Sequence, residues 1–166
     1  FGSQEWCGQS FKELVNFNKN SSYNYNTYWD GQGSGSFDIT FPEDLYVYDA
    51  LPVQLRMLNL TENQKFEIDL LPTQISSKAT YPRTEKAIVT VMNREEITVS
   101  AGNYTCYSVE VSHSAGNDLF WFETEFPHRM VKWEAYNTDE FELIDSKKLA
   151  YWELNQPGGE KYLPGN

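Results

Sequence analysis

The sequence predicts a mostly β protein, built as a single curved antiparallel sheet (a half-barrel) with a short helix packed on its concave side. Three observations support this fold class. From residue 64 onward, short β-branched and aromatic runs alternate with turn residues, which is typical of an antiparallel meander. Several of these runs place apolar side chains on one face. Residues 44–59 change to a helical period, which supplies a cover for that face. We expect about eight to ten strands.

Residues 1–20 predict a helical segment at the N-terminus. A capping-box pattern begins at Ser10, and a helix over residues 10–17 would carry one apolar stripe. That stripe consists of Phe11, Leu14 and Val15. Because it is short, the helix needs a packing partner to persist.

Residues 22–29 and 36–41 predict a β-hairpin, since aromatic or β-branched residues recur at every second position in both runs. The connection is rich in glycine and serine and would form a flexible tip. From Asp30 onward it nearly fits a calcium loop, but position twelve is Phe41 instead of a bidentate glutamate. No calcium site is therefore predicted.

The short helix is predicted over residues 50–58. Its apolar residues recur every three or four positions: Leu45, Tyr48, Leu51, Leu55 and Leu58. If Asp49 caps this helix, Pro52 falls in the first turn, where its missing N–H costs nothing.

The predicted strands after residue 64 cover residues 66–70, 87–91, 97–99, 104–111, 119–123, 130–136, 140–144 and 149–154. A turn at Asn93 separates the second of these strands from the third. Two strands are expected to be apolar on one face, with the sets Tyr107, Val109 and Val111, and Val131, Trp133 and Ala135. Phe120 and Phe122 alternate with Trp121, so their strand is apolar on both faces.

The composition argues against several classes of function. The 166 residues include 24 acidic and 13 basic ones, for a net charge of −11. This charge argues against a nucleic-acid binder and against a basic patch on an anionic membrane. No apolar run approaches the roughly 20 residues of a membrane-spanning helix. The length fits one domain over residues 1–166. The sequence starts at Phe1 instead of Met, which predicts that an upstream segment has been removed.

Four stretches carry a resemblance to a known family: DALPVQLR at 49–56, ITVSAGNYTCYSVE at 97–110, FWF at 120–122 and FPHRMVKWE at 126–134. Over residues 37–145 the chain resembles a bacterial exported domain family of unknown function, related to lipoprotein-carrier-like half-barrels of the LolA and LppX type. Residues 1–36 do not obviously match. The resemblance implies an extracytoplasmic protein, periplasmic or lipid-anchored to the envelope. In the carrier-like relatives the concave side accommodates acyl chains.

The first functional hypothesis is a non-enzymatic exported binding module that holds an apolar or lipid-like small molecule, or an envelope protein, in the half-barrel. Its candidate ligand-binding residues are Leu55, Tyr107, Phe120, Phe122 and Trp133. A deep pocket lined by these aromatic residues would favour it. A solidly packed concave side would instead indicate a structural role.

The alternative is a carbohydrate-binding or adhesion module that uses the Tyr/Trp/Asn tract of residues 16–29, because aromatic faces and amide groups suit sugars. A flat, exposed row of Tyr23, Tyr25 and Trp29 would favour this second hypothesis.

No catalytic residue, metal or cofactor is predicted. Glu123, Glu125 and His128 could surround a divalent ion or a hydrolytic centre, but solvated charges at the sheet edge are the preferred interpretation. Cys106 lies inside a strand and is expected to be a buried structural thiol. His113 lies at a strand end, where a solvated imidazole is expected.

The two cysteines, Cys7 and Cys106, are predicted to be free thiols. The alternative is a bridge that closes a loop of about 100 residues, which exported proteins permit and which stabilises the fold in the chain-entropy model. Residues 155–166 contain Pro157-Gly158-Gly159 and predict a frayed tail.

Overall fold

The computed structural model describes residues 1–17, 20–155 and 157–162. The chain is mostly β, with 50% strand and 10% helix, which confirms the predicted fold class. Its strands form two sheets. The larger is a seven-stranded half-barrel, and the smaller is a four-stranded sheet that the sequence did not predict.

The small sheet contains β1 (Gly2–Glu5), β2 (Gly8–Phe17), β3 (Asn20–Asn26) and β4 (Ser34–Ile39), in that order and all antiparallel. The pairing of β3 with β4 confirms the predicted hairpin. The helix predicted over residues 10–17 is wrong, because this segment is strand β2. Its buried residues include Ser10 and Lys12, whereas Phe11 is half exposed.

Three buried polar residues of the N-terminal region form hydrogen bonds with the loop of residues 72–84, which joins two strands of the larger sheet: Ser10, Lys12 and Thr27. The carbonyl of Ser77 accepts hydrogen bonds from Ser10 Oγ at 2.7 Å and from Thr27 Oγ1 at 2.8 Å. Lys12 Nζ donates to the carbonyl of Lys78 at 3.2 Å. The buried polar side chains of β2 thus pair with backbone carbonyl groups, because a polar group that is removed from water needs a hydrogen bond.

The half-barrel contains β5 (Leu45–Val47), β6 (Lys65–Leu71), β7 (Glu85–Val99), β8 (Gly102–His113), β9 (Gly116–Glu123), β10 (Met130–Glu134) and β11 (Glu140–Glu142). Its order is β11-β10-β9-β8-β7-β6-β5, and every pair is antiparallel except β5 with β6. It therefore has seven strands instead of the expected eight to ten.

Strand β7 runs through the turn that was predicted at Asn93. Its pairing with β8 shifts register between Val91 and Arg94, so a bulge is present where a chain reversal was expected. The polar residues at this point break the apolar alternation without ending the strand.

The predicted helix is confirmed as a helical segment over residues 48–57, in which α1 (Leu51–Gln54) is flanked by two 3₁₀ turns. Pro52 lies in the first turn of α1, as expected. Asp49 does not cap it. The Asp49 carboxylate instead accepts hydrogen bonds from the Thr73 hydroxyl and from the backbone N–H of Gln74.

The main core lies between the helical segment and the inner face of the half-barrel. Its fully buried members include Leu51 and Leu55 from the helical segment, Val109 and Val111 from β8, and Phe120 from β9. The predicted helix-on-sheet packing is thereby confirmed.

A smaller cluster covers the opposite face of the sheet and contains Val99, Cys106, Trp121 and Val131. Val131 was expected to share a face with Trp133, but Trp133 packs against the main core. A register shift between Met130 and Lys132 separates the two side chains onto opposite faces.

The C-terminal region departs from the prediction at one place. Residues 149–154 do not form the predicted strand, and a 3₁₀ turn is present at Tyr151–Glu153. Within the predicted tail a second turn spans Gly159–Tyr162, and residues 156 and 163–166 lie outside the described residues.

Both cysteines are free, as predicted: Cys7 is exposed and Cys106 is buried. Among the residues that the structure describes, no helix has both the length and the apolar character needed to cross a membrane.

Candidate functional site

The five predicted ligand-binding residues all lie at the main core. Leu55, Phe120 and Phe122 are fully buried in it, and Tyr107 and Trp133 are partly buried against it. The Phe120 ring lies 5.9 Å from that of Phe122 and 5.2 Å from that of Trp133. The structure therefore places all five residues at one core, where the Phe120 ring stacks on those of Phe122 and Trp133. This packing favours a structural role for the five residues, and none of them lines the groove described next.

An open groove of about 620 Å³ lies where the helical segment meets the β5 edge of the half-barrel. We call it the edge groove. Its lining residues come from the β5 region, the helical segment and β6: Glu43, Asp44, Leu45, Tyr46, Gln54, Met57, Leu58, Phe66, Glu67, Ile68 and Asp69. The volume falls within the range of about 300–1,000 Å³ that is typical of small-molecule sites.

The floor of the edge groove is apolar and continuous with the main core. Tyr46, Leu58 and Phe66 are partly buried against that core, and Ile68 belongs to it. Met57, on the rim, is 79% exposed. The edge groove is thus a place where the apolar interior of the half-barrel reaches solvent.

The rim of the edge groove is acidic. On β6, Glu67 and Asp69 share one cation, since Lys86 Nζ lies 3.1 Å and 3.0 Å from their carboxylate oxygens. Glu43 and Asp44, which immediately precede β5, are also exposed on this rim, and the next residue, Leu45, pairs with Asp69 of β6. Burial, and secondarily the charge of Asp44, raises the pKa of the Tyr46 hydroxyl above its ordinary value.

Gln54 holds the helical segment against the edge strand. Its side-chain oxygen accepts a hydrogen bond from the backbone N–H of Val47 at 2.8 Å, and its Nε2 donates to the carbonyl of Leu45 at 3.1 Å. The carboxamide thus replaces the peptide group of a neighbouring strand at this sheet edge. Sequence reasoning missed this role, although the position of Gln54 within the helical segment beside an edge strand is a usable signal.

A buried polar cluster is centred on Asp118, whose side chain is 0% exposed. Its Oδ1 accepts hydrogen bonds from the Tyr48 hydroxyl (2.8 Å), Trp133 Nε1 (2.9 Å) and the backbone N–H of Tyr136 (3.3 Å). Its Oδ2 lies 2.7 Å from His113 Nε2. The prediction that His113 is solvated is wrong, since its side chain is 4% exposed.

The Asp118 cluster is a structural hydrogen-bond network whose polar groups are paired with one another. Burial and the hydrogen bond to Asp118 raise the pKa of the Tyr48 hydroxyl far above its ordinary value, so Tyr48 stays protonated as a donor. The second ring nitrogen of His113 accepts the N–H of Ala115 at 3.4 Å. The carboxylate and both ring nitrogens are therefore occupied by neighbouring groups of the protein.

The residues considered for metal binding or hydrolysis have other partners. The Glu123 carboxylate accepts two hydrogen bonds from Arg129, at 2.5 Å and 2.7 Å, and its carbonyl oxygen lies 2.8 Å from His128 Nδ1. Glu125 is exposed. Within residues 1–17, 20–155 and 157–162, no group of three or more His, Cys, Asp or Glu residues is placed to hold a metal ion.

The aromatic tract of residues 16–29 does not form a flat exposed row in its described part. Tyr23 is 1% exposed. The Trp29 ring has Lys78 Nζ at 4.4 Å from its centroid and stacks on Tyr28 at 5.4 Å. Residues 18 and 19 of this tract lie outside the described residues.

A family model described as "Protein of unknown function (DUF3108)" matches residues 3–143. The matched region spans nearly all of both sheets, so it includes most of the N-terminal residues 1–36 that the resemblance over 37–145 left out. Neither the curated proteins nor the solved structures contain a match to the chain.

Proposed function

We propose that this chain, which belongs to the family of proteins of unknown function DUF3108, is a non-enzymatic exported module that binds an apolar or lipid-like ligand in a bacterial cell envelope. The edge groove carries this proposal, because an apolar floor continuous with the core is open to solvent there. Exposed apolar surface of this kind is a common mark of a binding site.

The ligand lies on the floor formed by Tyr46, Leu58 and Phe66. Tyr107 and Trp133 pack against the same core. Entry of a ligand further into the half-barrel requires displacement of close-packed rings, which costs contacts on every side. Binding at the groove avoids this cost.

Two observations support the non-enzymatic part of the proposal. Burial raises the pKa of the Cys106 thiol to about 12, so it is a poor nucleophile at neutral pH. The Glu123 carboxylate is held by the Arg129 guanidinium in a two-pronged ion pair, which leaves it unsuited to act as a general base. The carbohydrate alternative needs a flat, exposed aromatic row, which the described part of residues 16–29 does not form, since Tyr23 is buried.

A neutral, environment-sensitive dye such as Nile red tests the apolar site. We expect saturable fluorescence enhancement with the unmodified protein. Leu58→Ser weakens binding about tenfold, because burial of a leucine side chain contributes about 1.5–3 kcal/mol. Ile144→Ser is the matched control, since Ile144 is exposed and does not line the edge groove. Equal affinities of the two variants, or no saturable binding by the unmodified protein, would refute the proposal.

The extracytoplasmic location is tested separately. It is supported by the resemblance to carrier-like half-barrels, and we expect the full-length gene product to fractionate with the periplasm or the envelope. Recovery in the cytosolic fraction would contradict the location without affecting the groove.

A further inference from the structure

We infer that the occupant of the edge groove is a cationic amphiphile, meaning a small molecule with an apolar chain and a positively charged head. This inference rests on the proposed function and adds the charge of the ligand to it. It follows from the placement of charges around an apolar floor, since a ligand that covers the floor must bring its polar end to the rim.

The rim offers negative charge at the end near β5. Glu43 and Asp44 are adjacent and exposed, and both line the edge groove. In the described part of the chain neither carboxylate forms an ion pair. By contrast, Glu67 and Asp69 share the single positive charge of Lys86, so this pair retains a net charge of about −1. The groove is therefore lined by four carboxylates, against which only the ammonium group of Lys86 is set.

The lining contains no counterbalancing cation. Its members are acidic, apolar or neutral polar, and Lys86 lies outside it. An anionic head such as a carboxylate or phosphate would meet Glu43 and Asp44 without a partner, and like charges brought together disfavour binding. A cationic head gains attraction at the same place. The floor of Tyr46, Leu58 and Phe66 accepts the apolar chain in either case.

Calorimetric titration with three amphiphiles of one chain length separates the head from the tail. The probes are dodecyltrimethylammonium (cationic), dodecyl maltoside (neutral) and laurate (anionic), each below its critical micelle concentration. We expect the cationic probe to bind about five- to tenfold more tightly than the neutral one, a preference consistent with two exposed ion pairs. The anionic probe binds most weakly.

Two double variants show whether the preference arises at the groove or from the net charge of −11. Glu43→Gln with Asp44→Asn should reduce the affinity for the cationic probe toward that for the neutral probe, and leave the affinity for the neutral probe unchanged. Glu140→Gln with Glu142→Gln removes the same charge from exposed positions on β11, at the opposite edge of the sheet, and should change neither.

The possible outcomes distinguish the inference from the proposed function. If all three probes bind equally, or if both double variants weaken the cationic probe to the same extent, the inference is overturned and the apolar site stands. If none of the probes binds, the proposed function fails together with the inference.

Discussion

Replacement of Asp118 by alanine tests the buried polar cluster at the end of the half-barrel. The substitution removes the acceptor of four donors: the Tyr48 hydroxyl, Trp133 Nε1, the backbone N–H of Tyr136 and His113 Nε2. Asp118 is a small residue, so the cavity left behind contributes less than the lost hydrogen bonds. The expected loss of stability therefore comes mainly from buried donors without partners.

Each buried donor left without a partner costs about 1–3 kcal/mol. With four donors, Asp118→Ala should lower the free energy of unfolding by at least about 4 kcal/mol, which is a large part of the roughly 5–15 kcal/mol typical of a domain. Asp118→Asn keeps an oxygen for the three donors at Oδ1 and disturbs only the contact with His113. Its cost should be about 1–2 kcal/mol.

Urea denaturation followed by tryptophan fluorescence measures both effects, and Trp133 reports on the cluster directly. Asp30→Ala is the control, because Asp30 is exposed and should change stability by less than about 0.5 kcal/mol. A loss of less than about 1 kcal/mol for Asp118→Ala, or the same loss for alanine and asparagine, would refute the hydrogen-bond argument.

Two further predictions concern the thiols and the sheet edge. Ellman's reagent should modify Cys7 in the folded protein and Cys106 only after unfolding. Folding raises the pKa of Cys106 from the ordinary 9.0 to about 12. Between these two pH values the folded state therefore binds more protons than the unfolded chain, so the free energy of unfolding should fall as the pH rises. Cys106→Ala should make that fall smaller. Gln54→Leu removes two edge hydrogen bonds of β5 and should cost about 1–3 kcal/mol in urea denaturation and promote self-association in sedimentation velocity. Gln64→Leu, at an exposed position, should do neither, and an equal effect of both substitutions would contradict the role of Gln54.

The local pattern of apolar residues was sufficient to predict the main strands and the helical segment of the half-barrel. The alternation of Val109 and Val111 in β8, and of Phe120 and Phe122 in β9, gave both the strands and their inner face. The helical period around Leu55 gave the covering segment. These predictions succeeded because each rests on apolar side chains that must leave water, whichever segment they pack against.

Strand β2 could not be predicted in the same way. The buried residues of β2 include Ser10 and Lys12, which carry no apolar signal, and the half-exposed Phe11 gave a false helical stripe. Their burial depends on the carbonyls of Ser77 and Lys78, more than sixty residues away in the chain. A polar residue such as Lys12 is buried only when the fold brings a hydrogen-bond partner to it.

In the candidate site, too, the sequence predicted the apolar features and missed the polar ones. Strand alternation, which is legible in the sequence, places Tyr107 on one face with Val109 and Val111, and Phe120 on one face with Phe122, and these faces form the apolar interior. The face of Trp133 was decided by the register shift between Met130 and Lys132. The tertiary structure alone decided that this interior is filled, that it opens at the β5 edge, and that Asp118 and Gln54 are held by polar partners. The physical reason is that alternation fixes direction, whereas an opening or a satisfied buried polar group depends on which distant segments meet there.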